Sequence, residues 1–115
     1  MTMTAANDVD PPELAARLFR SLADPTRLRI LLRLQRGEQR VVDLVREVGV
    51  AQATVSQHLA CLRECGLVTS RPEGRQNLYE IAVPQVRELL AAAELVLGEV
   101  GHEVALCHLM PEAAR

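Results

Sequence analysis

The chain has 115 residues, 49% of them hydrophobic but only 2% aromatic, and a formal net charge of −2. That length bounds it to one domain with a modest aliphatic core, for which burial against a second copy is favourable. No apolar run approaches the ~18 residues of a membrane span, the N-terminal stretch lacks the basic and apolar regions of an export signal, and three cysteines are an odd number for a disulfide framework, so a cytoplasmic protein with reduced thiols is expected.

Residues 1–9 are polar and unpatterned and are expected to form a disordered tail. The first helix starts with Asp10 as cap, Pro11 at the first position and Glu13 where a capping box places an acid, with Leu14, Leu18, Phe19 and Leu22 as its inward face. Asp24 and Pro25 repeat the start signal, and Leu28, Ile30, Leu31, Leu32 and Leu34 mark the following helix as central. A short helix is predicted over Val41–Val48, stopped by Gly49. A second follows over Gln52–Cys65, with Val55, Leu59 and Leu62 inward. Two short helices joined by a tight Gly-containing turn form a helix-turn-helix.

The second of these helices carries Gln52, Ala53, Thr54, Ser56 and Gln57 near its start. Gln can pair bidentately with adenine, and Ala or Thr can touch a thymine methyl; a merely solvated helix face is the plain alternative. Gly66 ends the helix. Strands are predicted at 67–70 and 77–81 around a turn at 71–76 that carries Arg71 and Arg75. A hairpin in that place is a wing whose arginines can reach phosphate or the minor groove. All basic residues are Arg, and residues 13–47 hold eight of them against five acids, whereas residues 80–115 hold two against six. Arg forks suit phosphate and guanine, although a GC-rich coding bias produces the same excess. From Pro84 a last helix runs through Val86, Leu89, Leu90, Ala93, Leu97 and Val100, a stripe suited to pairing across a two-fold axis. Gly98 and Gly101 weaken its end, so the segment 101–115, which carries Cys107, is expected to be mobile. The fold class expected is mainly α with a β-hairpin, a homodimeric winged helix-turn-helix over residues 10–100.

Cys61 and Cys65 lie one helical turn apart, on one face, with Cβ atoms about 5–6 Å from each other. That separation suits two thiolates converging on one metal ion and is too wide for an easy disulfide. Free Cys is also a common core residue, and spacing alone does not separate the two readings.

The run Leu22-Ala23-Asp24-Pro25-Thr26-Arg27-Leu28-Arg29-Ile30-Leu31, then Val55-Ser56-Gln57-His58-Leu59, Gly66-Leu67-Val68 and Glu73-Gly74-Arg75 with Tyr79 resembles the ArsR/SmtB family of bacterial metal-responsive repressors over about residues 12–100. The resemblance implies a homodimer that occupies double-stranded operator DNA without metal and leaves it when metal binds. Two of the family's metal sites are missing. Arg40 and Val42 stand where one places a Cys-x-Cys pair, and Val83, Gln85, Val96 and Glu99 leave the site on the last helix a single candidate ligand. The segment from His58 to Val68 is similar to the cadmium- and lead-sensing members of the CmtR type, in which two cysteines of the reading helix join one from the C-terminal region; Cys61, Cys65 and Cys107 occupy those places. His58 is structural by the same resemblance. His102 and His108 flank Cys107 and leave a fourth donor open.

Three thiolates favour Cd(II) or Pb(II), with As(III) less expected and Zn(II) wanting a fourth ligand. A thiol redox or sulfide-responsive repressor on the same fold is the nearest rival, and a metal-sequestering protein a rival of another class. No nucleophile, base and acid set and no phosphate-binding glycine loop points to an enzyme or a small organic substrate.

Overall fold

The computed structural model describes residues 10–102. The expected tail 1–9 and the segment beyond His102, with Cys107 and His108, lie outside the described residues.

Helices α1 (Pro11–Ser21) and α2 (Pro25–Leu34) both start on Asp-Pro, yet only one carboxylate caps. Asp24 Oδ1 accepts from the backbone N–H groups of Thr26 and Arg27 at 2.8 and 3.1 Å. Asp10 stands at the N-cap of α1 without such a bond. Pro12 occupies the second helical position there and has no N–H to give. Ile30, Leu31, Leu32 and Leu34 are buried, which makes α2 the central helix.

A two-residue strand, β1 (Gln39–Arg40), leads directly into α3 (Val41–Val48). The Asp43 carboxylate accepts from the Arg40 backbone N–H and guanidinium, which holds the start of α3. Gly49, at φ +83°, takes the left-handed conformation that turns the chain into α4 (Gln52–Glu64). Leu44 of α3 and Val55, Leu59 and Leu62 of α4 are fully buried, so the two helices lock against the α2 core. The fourth helix ends one residue earlier than expected, with Cys65 as its C-cap.

The wing consists of β2 (Val68–Glu73) and β3 (Gln76–Ile81), antiparallel from Val68 opposite Ile81 to Glu73 opposite Gln76. The turn is only Gly74-Arg75, with Gly74 at φ +63°, which corrects the wider turn predicted from Arg71-Pro72. Pro72 sits in β2, an edge of the β1-β3-β2 sheet, where a missing N–H costs no ladder bond. Gln39 and Arg40 pair with Tyr79 and Leu78, a strand too short to show a period.

On α5 (Gln85–Glu99), Val86 and Leu90 join the core and Leu89 packs against it. The expected inward face of α1 needs correction: Leu22 is buried and Leu18 partly so, but Leu14 and Phe19 are 47% and 58% exposed. Leu95, Val96 and Val100 at the far end of α5 are exposed as well. The described part of one chain therefore leaves apolar surface open on its first and last helices. No described helix is long and apolar enough to cross a membrane. The architecture is a winged helix-turn-helix.

Candidate nucleic-acid interface and thiol pair

Anchoring α4 by Val55, Leu59 and Leu62 fixes which residues face outward. Gln52, Ala53, Ser56 and Gln57 are exposed, and Thr54 is half-buried. The N-cap is Ala51, whose side chain cannot accept a hydrogen bond, so the first-turn N–H groups of α4 are left for solvent or an anion. One groove is lined by Val41, Val42, Gln52, Arg75, Gln76 and Asn77. It joins the wing tip to the starts of α3 and α4, placing Arg75 and Gln52 on one surface.

Arg71 belongs elsewhere. Its guanidinium donates two hydrogen bonds to Glu38, at 2.9 and 3.0 Å, and that carboxylate raises its already high pKa. The sequence put the two wing arginines together; the structure puts one at the tip and ties the other to the loop before β1.

At its other end α4 turns its thiols toward the scaffold. Cys61, half-buried, accepts a hydrogen bond from Nη1 of Arg27 on α2, Nη1 to Sγ 3.1 Å. Cys65 is exposed, with its sulfur 2.8 Å from Oγ of Ser21 on α1, and either atom can donate. The carbonyl of Arg17 also lies within reach of Ser21 Oγ, at 3.0 Å; when the one hydroxyl hydrogen is donated there, the Cys65 thiol is the donor to Ser21. Cys65 opens onto a groove lined by Leu14, Arg17, Leu18, Ser21 and Glu64, between α1 and the end of α4. His58 packs in the same region, with Nε2 3.8 Å from Asp24 Oδ1. Hydrogen bonds from the backbone, that of Arg27 foremost, hold the Asp24 carboxyl below its usual pKa, with His58 and the Arg27 charge adding to the effect.

Among the described residues no group of three or more His, Cys, Asp or Glu could hold a metal ion. The two thiols of α4 fit a soft ion by donor type and by their shared face, but they supply two donors only. The expected third, Cys107, lies outside the described residues, and His102 is exposed at their end. Sequence reasoning missed Arg27 and Ser21. Arg27 lies 34 residues before Cys61 and Ser21 lies 44 before Cys65, and no local pattern reports contacts across such distances.

Comparison with known proteins agrees with this architecture. The family model for bacterial regulatory proteins of the arsR family matches residues 24–70, from the cap of α2 into the wing. A probable mercury resistance operon repressor of Streptomyces lividans is 37% identical over 100 residues, covering 87% of this chain and 80% of its own length. The transcriptional regulator CmtR of Mycobacterium bovis is 51% identical over 67 residues, 58% of this chain and 57% of that protein. Among solved structures, a homodimeric winged helix-turn-helix DNA-binding domain from Mycobacterium bovis superposes with a TM-score of 0.73 at 31% identity, covering 90% of this chain and 96% of that one.

Proposed function

Because the chain belongs to the arsR family of bacterial regulatory proteins, which are transcriptional regulators and not enzymes, we propose that it is a repressor released from its operator by a soft metal ion, Cd(II) or Pb(II) before As(III) or Zn(II). The observation that carries this reading is the placement of two thiols on the reading helix itself, one turn apart, each in contact with a scaffold helix.

The DNA side follows from the outer face of α4. Gln52, Ala53, Thr54, Ser56 and Gln57 would enter the major groove, and Arg75 at the wing tip would meet backbone or minor groove. Arg71 would contribute only by exchanging Glu38 for phosphate. A homodimer would present two reading helices about 34 Å apart to successive major grooves. The exposed apolar residues of α1 and α5 suit that pairing, since burying each large aliphatic or aromatic side chain is worth about 1.5–3 kcal/mol.

On the metal side, Cys61 and Cys65 would hold the ion with Cys107 of the same or the partner chain. The ion supplies a soft Lewis acid that prefers sulfur to oxygen. Ligation would draw the sulfurs from Arg27 and Ser21 and so shift the end of α4 against α1 and α2. Because α4 is one helix, its reading end would shift with it. Metal and DNA would then oppose each other reciprocally, a coupling of typically about 1–3 kcal/mol.

The test is fluorescence anisotropy with duplex DNA from the region upstream of the gene, under anaerobic reducing conditions. Cd(II) or Pb(II) should release the wild type near one equivalent per site. Cys61→Ser, Cys65→Ser and Cys107→Ser should bind DNA and ignore the metal; loss of DNA binding in all three would make the cysteines structural. The exposure of Cys65 supports a second reading, thiol oxidation as the signal, which release by peroxide without metal would establish.

A further inference from the structure

The two sulfurs of α4 are held in chemically different ways. Cys65 is exposed and touches a neutral hydroxyl. Cys61 is half-buried and receives a guanidinium, whose charge is permanent. The Arg27 Nε is buried with no hydrogen-bond partner among the described residues, and the Asp24 carboxylate nearby is engaged by the backbone N–H groups of Thr26 and Arg27. The hydrogen bond shown for the Arg27 side chain is the one to Cys61.

We propose that Arg27 is the positioning residue of the metal switch: its guanidinium holds the Cys61 sulfur against α2 in the metal-free protein and has to withdraw before Cys61 can ligate. This inference rests on the metal-sensing reading above and adds the residue that sets its threshold. Two effects act in one direction. The N–H occupies sulfur electron density that an ion would take, and the cation repels a divalent ion approaching that sulfur. Cys65 carries neither obstacle and is the first thiol an ion meets.

The position of Arg27 also links the event to the fold. Its backbone N–H is bound by the cap of α2, and the capping Asp24 lies 3.8 Å from His58 on α4. Arg27 therefore ties the start of α2 to the last turns of α4 by its side chain, while the Asp24 that caps its backbone lies 3.8 Å from His58, an ion pair only when that imidazole is protonated. Withdrawing the guanidinium from Cys61 removes this hydrogen-bonded tie between α2 and the helix proposed to read DNA.

The experiment is Cd(II) affinity of the metal-free, reduced full-length protein, read from the thiolate-to-cadmium absorption band in competition with a chelator. Wild type, Arg27→Met and Arg27→Lys are compared, with circular dichroism and metal-free DNA affinity recorded for each. Arg27→Met should bind Cd(II) about tenfold tighter, as expected when a charge-assisted hydrogen bond competing with the metal is lost. Arg27→Lys, which keeps the charge but not the planar fork, should fall between, at about threefold. A merely structural arginine would give the opposite sign, weaker binding with a loosened fold. Equal or weaker Cd(II) binding by a folded Arg27→Met overturns the inference; if that variant does not fold, unchanged affinity in Arg27→Lys does so. Absence of the absorption band in wild type removes the metal reading itself, and a normal wild-type band with an unaltered variant removes Arg27 alone.

Discussion

The two ends of α4 are built on opposite principles. At the start, exposed amides and hydroxyls stand on a helix whose first turn has no side-chain cap, and the neighbouring Arg75 lies across an open groove. Toward the end, each sulfur is matched to a partner on another helix, Cys61 to Arg27 and Cys65 to Ser21. Between them Val55, Leu59 and Leu62 form a buried rail against the core. On the proposed function, the surface that would meet DNA is left unsatisfied, whereas the one that would report metal is tied to what it would have to move. The rail makes the two ends one body.

The comparison breaks most completely at the thiol end. Cys61→Ser or Cys65→Ser should abolish release by metal while leaving metal-free DNA affinity within about twofold, the scatter expected of a change of about 0.5 kcal/mol; anisotropy titrations check both. Cutting the rail is next in size. Leu59→Ala should lower unfolding stability by about 2–5 kcal/mol, measured by urea denaturation, and should weaken both ends together.

At the reading end, Arg75→Ala should reduce the slope of log affinity against log salt by about one. Arg71→Ala should change that slope less, because Glu38 already takes its fork. Equal slopes would show that Arg71 leaves Glu38 on DNA.

The smallest effect concerns the carboxylates at the starts of α2 and α3. The carboxyls of Asp24 and Asp43 are held below the usual 3.8, by backbone N–H groups and by Arg40 respectively. A carboxyl whose pKa is lower folded than unfolded adds stability above the unfolded value, and that stability is lost as pH falls through the folded one. Acid unfolding should therefore set in below about pH 4. Asp24→Asn keeps a capping oxygen and should flatten that dependence, as followed by circular dichroism against pH.

Much of the frame was legible in the sequence because it rests on local signals. Asp24-Pro25 gave the start of α2, Gly49 and Gly66 the ends of the two helices of the helix-turn-helix, and the spacing of Val55, Leu59 and Leu62 the inner face of α4. What escaped was non-local or too short. The two residues of β1 carry no period, and Pro72 reads as a turn former until its strand is known to be an edge. Leu14 and Phe19 have helical spacing whether they face the core or an external surface, so pattern alone put them inside. For the site, residue type and spacing marked the exposed face of α4 and the two thiols, but Arg27 and Ser21 carried no signal and required the packing of α1 and α2 on α4.

The central claim, that thiol ligation at one end of α4 empties the DNA surface at the other, is tested most directly by titrating Cd(II) into the preformed protein–DNA complex while recording absorption and anisotropy in one cuvette. The account predicts that the thiolate-to-cadmium band and the fall in anisotropy rise together and saturate at one ion per site. A band that saturates while the DNA stays bound would contradict it.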